Sequence, residues 1–165
     1  MKPENIRKFG TDSLAAAWEH AKAAVEPAVV PVSYYADDRG YSIMNQMQGV
    51  MRPEGQINFS VQYPGVIKAW HHHTLQTDFW LCLHGHLKVG VYRASDRRAW
   101  MAIIGEKNPC VVIIPPPLWH GAATVGHEPA GLLYYVSAAY NPAQPDEHRM
   151  AHDAVDGFPW GVRHG

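Results

Sequence analysis

Nowhere in the 165 residues is there a run of about 18 apolar side chains, so a membrane-spanning helix is excluded. The N-terminus, Met1-Lys-Pro-Glu-Asn-Ile-Arg-Lys8, also lacks the apolar core of a secretory signal. A soluble, cytoplasmic protein with no membrane partner is expected. Charge of one sign is missing too: 14 Lys and Arg against 15 Asp and Glu leave a net charge of -1. That balance gives no electrostatic footprint for nucleic acid or an anionic membrane. Cysteine is scarce. Cys82 and Cys110 lie in apolar, strand-like runs with no Cys-x-x-Cys spacing, and read as small buried hydrophobes rather than a disulfide framework. Internal repeats and low-complexity segments are absent as well.

The chain has the length of one domain, enough to bury roughly two thirds of its unfolded surface. A helix is expected early, capped by Asp12 or Ser13, running over Leu14–Val25 and stopped by Pro27. Thereafter short apolar or alternating runs recur at 28–35, 41–50, 57–63, 66–73, 78–84, 86–93, 98–104, 110–114, 119–125 and 131–138. Gly- and Pro-containing turns separate them, including Asp38-Arg39-Gly40, Pro64-Gly65 and His84-Gly85. Regular short strands with turn signals predict an all-β sandwich or closed barrel. The expected organisation is a helical extension over 1–27, a barrel over 28–140, and a tail over 141–165 lying on the barrel.

Histidine is where the sequence is rich: five of the eleven fall between residues 71 and 86. On a strand, side chains alternate between faces, so His71 and His73 point one way and His72 the other. Neutral imidazole is both a base near neutral pH and a common metal ligand, and either use justifies two of them on a buried face. The bland alternative is a set of satisfied sheet histidines, in which case His120 and the spaced glycines match by accident. Gly65, five residues, His71-x-His73, four residues, Asp78, six residues and Gly85 resemble the first signature of the cupin β-barrels, with Asp78 where Glu is usual. Pro115-Pro-Pro-Leu-Trp-His120 resembles the second, Pro-x-Gly-x-x-His, with Pro117 in place of Gly. The resemblance implies a cupin-type β-barrel, the double-stranded β-helix or jelly roll, with a short N-terminal helix.

A closer likeness runs from about residue 38 to 150. Asp37-Asp-Arg-Gly-Tyr41, Gly65-Val-Ile-Lys-Ala-Trp-His71, Gln76, Ile114-Pro-Pro-Pro-Leu-Trp-His-Gly121 and Tyr134-Tyr-Val-Ser-Ala-Ala-Tyr-Asn-Pro142 resemble, in family order, motifs of the dTDP-4-dehydrorhamnose 3,5-epimerases. That resemblance implies a cofactor-free epimerase of carbohydrate biosynthesis. It removes a proton beside the ketone of a 4-keto-6-deoxy nucleotide sugar and returns one on the opposite face. His71 stands where the family has its base and Tyr134 where it has its proton donor. Arg39 and Lys68 would hold phosphate, His120 or Lys68 the oxyanion, and Tyr140 would stack on the base. Gln62, His73 and Gln76 complete the substrate-binding set. The family's late Asp that orients the base has Asp153 and Asp156 as candidates. The resemblance also implies a homodimer, for which the apolar stretch Tyr41–Met51 is the candidate pairing strand.

Two departures keep other readings open. Lys68 replaces an Arg, and Asp78 stands where the family has Lys. With Asp78 an acid, His71, His73, Asp78 and His120 form a three-histidine, one-carboxylate set suited to Fe, Mn, Ni or Zn. Such a site would serve a metal-dependent sugar-phosphate isomerase or dioxygenase. A non-catalytic sugar-binding cupin using Arg39, Lys68 and Trp70 is the third reading. The metal and base readings exclude each other at His71, since a nitrogen bound to metal has no lone pair for a proton.

Overall fold

The structure, a computed structural model, describes residues 1–10, 13–44 and 46–162. Chain order begins with β1 (Glu4–Asn5), β2 (Arg7–Lys8), α1 (Leu14–Ala24), β3 (Ala28–Pro31), β4 (Tyr35–Asp37) and β5 (Gly40–Ser42). It continues through β6 (Gln56–Gln62), β7 (Ile67–His72), β8 (Asp78–His84), β9 (His86–Arg93) and β10 (Arg98–Gly105). Last come β11 (Cys110–Ile114), β12 (Trp119–Val125), β13 (Ala130–Val136) and β14 (His148–Arg149). One six-stranded sheet has the order β1-β10-β9-β12-β7-β14, the other β2-β3-β11-β8-β13-β6, and β4-β5 is a separate hairpin. This is the all-β jelly roll that the sequence predicts.

Alternation builds the core. Leu87, Val89 and Val91 of β9 meet Trp80 and Cys82 of β8 and Val112 and Ile114 of β11 between the sheets. The three β9 side chains are fully buried, worth roughly 1.5–3 kcal/mol each. Strands β8 and β11 are apolar on their second face as well, because Phe79, Leu81, Val111 and Ile113 pack under Ala17, Trp18 and Ala21 of α1. A strand covered on both sides reads as a continuous apolar run, as Cys110–Ile114 does. The outer face of the first sheet is covered by the tail, where Val155, Phe158 and Trp160 pack on Trp70, Ala99 and Ala123. Glycine is needed beneath it: a Cβ on Gly90 would lie 2.6 Å from Phe158 and 2.7 Å from Trp160.

Three expectations need correcting. Residues 1–27 hold more than a helix, since β1 pairs with β10 and β2 with β3, both parallel. The stretch 41–50 is a strand only to Ser42; residues 46–50 turn, with Gly49 at φ +83°, and bury Met47 and Val50 beside α1. Asn45 lies outside the described residues, as does Asp12, one of the two expected helix caps. The other, Ser13, donates its hydroxyl to Gly10 O at 2.8 Å instead of capping a helix amide.

Candidate active site

A cavity of about 860 Å³ opens between the sheets. Strand β7 brings His71 to one wall and β13 brings Tyr134 to the other, and these strands belong to opposite sheets. His73, Gln76, Asp78, Lys68 and Tyr140 line the same space. The floor is the inner face of β6, where Gln56, Asn58, Ser60 and Gln62 alternate with outward Ile57, Phe59 and Val61. Period two is kept along this strand, but the usual polarity is inverted: polar side chains face in and apolar ones face out.

Behind His71 lies a compact polar cluster. Ring centroids separate His71 from His120 by 4.1 Å and from His73 by 5.7 Å. His72 points away, stacked on His148 at 4.7 Å and against Trp119. His120 Nδ1 donates to Leu118 O and His73 Nδ1 to Asp146 O, both at 2.9 Å. A carbonyl only accepts, so in each ring the proton sits on Nδ1 and Nε2 is turned to the cluster. Asp78 accepts from Gln76 Nε2 at 2.7 Å and from Trp80 Nε1 at 3.0 Å. Its Oδ2 lies 3.4 Å from His120 Nε2, a close approach that is not an aligned hydrogen bond.

These surroundings set the protonation states. Burial holds the His71 imidazole down to about 2, helped by the neighbouring His120, so its ring is neutral at ordinary pH. Burial works to raise the Asp78 carboxyl, yet the contact with His120, the ring nearest to it, holds it down at about 2. The Tyr134 phenol is pushed up, first by burial and then by the negative charges of Asp78 and Glu147. A neutral imidazole on one wall and a protonated phenol on the other are the protonation states, though at His71 not the base strength, that a base and an acid need.

Several expected binding residues have other work. Arg39 is on the β4–β5 hairpin, outside the cavity lining, with its guanidinium paired to Asp37. Gln62 is buried and donates its amide to Val66 O at 2.7 Å and Ala122 O at 3.0 Å. Gln76 is spent on Asp78. His120, only 2% exposed, stands behind the cavity wall. Asp153 and Asp156 are exposed on the tail; the acid beside the histidines is Asp78. Missed from sequence were Asn58 and Ser60 on the floor and the strap Asp146, Glu147 and Arg149, which lines the mouth. The Gln-Ile-Asn-Phe-Ser-Val-Gln alternation was the available signal for the floor.

Comparison with known proteins shows what the chain is similar to. The family model described as polysaccharide biosynthesis C-terminal domain matches residues 35–148. A spore coat polysaccharide biosynthesis protein, SpsL, from Bacillus subtilis (strain 168) is 34% identical over 136 residues, 78% of this chain and 90% of that protein. A probable low-salt glycan biosynthesis epimerase, Agl13, from Haloferax volcanii is 37% identical over 101 residues, 58% of this chain and 65% of that one. Among solved structures, a dTDP sugar isomerase from Desulfovibrio desulfuricans G20 superposes with a TM-score of 0.71 at 22% identity. The superposition covers 81% of this chain and 90% of that one.

Proposed function

The chain belongs to the polysaccharide biosynthesis C-terminal domain family, and from that premise we propose that it is an epimerase acting on a 4-keto-6-deoxy nucleotide sugar. The observation that carries the reading is that His71 and Tyr134 face one cavity from opposite sheets. A sugar ring between them has a base on one face and an acid on the other. The C4 ketone makes the hydrogen on a neighbouring carbon removable. His71 takes that proton, and the C–H electron pair becomes the enolate. Tyr134 then gives its hydroxyl proton to the same carbon from the far side, which inverts the centre. Imidazolium and phenolate remain, and passage of one proton between them through solvent resets the site.

Only protons move, so the reaction calls for no cofactor. The names of two relatives, an epimerase and a dTDP sugar isomerase, agree in kind. Two free buried thiols, Cys82 and Cys110, suit the reducing cytoplasm. Incubation with such a nucleotide sugar in heavy water, in the presence of a chelator, is expected to place deuterium beside the ketone. Exchange that needs added metal would overturn this mechanism.

A second reading rests on the same cluster. His71, His73, Asp78 and His120 each offer a ligand atom, all within 4.8 Å of one another, and buried His120 Nε2 has no hydrogen-bond partner. Two imidazoles fixed by Nδ1–H to carbonyl contacts are the usual support of metal-bound histidine. The donor set fits a divalent Fe, Mn, Ni or Zn ion, which when bound would polarise a substrate carbonyl. Metal analysis of the purified protein separates the two readings.

We further propose a homodimer formed through the outer face of β6 rather than through Tyr41–Met51. Ile57, Phe59, Val61 and the following Tyr63 are 53, 61, 46 and 69% exposed on the free edge of their sheet. An apolar row on an unpaired edge strand favours a covering partner.

A further inference from the structure

If the substrate is a nucleotide sugar, as proposed above, the cavity must hold a diphosphate, and its lining carries few cations for that task. Arg39 is outside, tied to Asp37. Among the described lining residues the permanent cations are Lys68 and Arg149.

Arg149 is placed by a register. Strand β14 pairs antiparallel with β7 so that Arg149 lies directly opposite His71 and His148 opposite His72. Directly opposed residues share one face of a sheet, and the stacked rings of His148 and His72 obey this on the outer face. Arg149 therefore takes the face of His71, toward the cavity that both residues line. The strand ends a strap that is firmly docked. The Asp146 carboxylate accepts from the amides of Thr74 and Leu75 at 2.9 Å each and of Gln76 at 3.3 Å, and from the Thr74 hydroxyl. Just past the strand, Met150 and Trp70 exchange backbone hydrogen bonds of 3.0 and 3.1 Å.

We propose that Arg149 is the residue that anchors the diphosphate of the substrate, presented at the cavity mouth by the docked strap. Its Nε donates to Glu147, which steadies the guanidinium and leaves both Nη groups for phosphate oxygens. That fork suits a diphosphate better than the single ammonium of Lys68. Asp78 and Asp146 do not compete for it, being engaged at the cluster and on the strap. Glu147 is the one carboxylate beside it, so Glu147→Gln is expected to leave dTDP binding intact or tighter.

Calorimetry with dTDP, thymidine and pyrophosphate on the wild type, Arg149→Ala, Arg149→Lys and Lys68→Ala tests the assignment. Arg149→Ala is expected to weaken dTDP about 10- to 100-fold, as for loss of a charge-assisted pair, while thymidine binding stays unchanged. In turnover it raises KM and leaves kcat near that of the wild type, and Arg149→Lys recovers part of the loss. The wild-type affinity for dTDP should fall with added salt more steeply than that of Arg149→Ala. Wild-type affinity for dTDP in Arg149→Ala, with turnover intact, overturns the anchor but leaves the epimerase standing. Failure of the wild type to bind dTDP, UDP, GDP, ADP and CDP alike overturns both.

Discussion

The main-chain carbonyl of Asp146 accepts the Nδ1 proton of His73 at 2.9 Å, while the Asp146 side chain gathers the amides that follow His73. One residue of the strap thus orients a cavity histidine and fastens the loop beside it.

That double hold is pH dependent. Burial works to raise the Asp146 carboxyl, but hydrogen bonds from Thr74, Leu75 and Gln76 lower it below the ordinary value. A carboxyl lowered by folding adds stability above its unfolded pKa of about 3.9, and loses it as pH falls further through the folded value. Asp146→Ala is therefore expected to melt earlier than the wild type at pH 7, by about 1–2 kcal/mol. The gap should close toward pH 3 in thermal melts. A gap that is the same at pH 7 and pH 3 would show that the carboxylate does not hold the strap.

Gly90→Ala places a methyl group where Phe158 and Trp160 sit. Overpacking of this kind costs about 1–3 kcal/mol. The expected result is a lower urea midpoint with loss of tail protection in hydrogen exchange, while the histidine cluster on the opposite face stays ordered.

Phe59→Glu puts a charge in the middle of the outward apolar row of β6. The variant is expected to run as a monomer in light scattering at micromolar concentration, where the wild type runs as a dimer. A wild-type monomer would contradict the proposed pairing.

The parts of the molecule legible in the sequence are those where a local pattern and its burial coincide. His71-x-His73 and the distant His120 could be paired because spacing along two strands carries the cluster, and His72 faces away as period two requires. Strand β6 was harder. Alternation was plain, but polar-in and apolar-out is the reverse of an ordinary sheet, and the inward polar row is accounted for only once the cavity beside it is known. The strap gave no periodic signal, since β14 is two residues long and Asp146 meets its partners about 70 positions away. Tyr41–Met51 does not form one strand, because Met47 and Val50 are spent in a turn beside α1 while Tyr41, Met44 and Met51 stay exposed.

The central claim is that base and acid act on opposite faces from opposite sheets, and isotope exchange in heavy water separates their roles. With a 4-keto-6-deoxy nucleotide sugar, His71→Asn is expected to abolish deuterium uptake beside the ketone. Tyr134→Phe is expected to retain uptake while losing inversion, because proton removal survives and delivery from the far face does not. Inversion at the wild-type rate in Tyr134→Phe, or uptake at the wild-type rate in His71→Asn, would contradict the account.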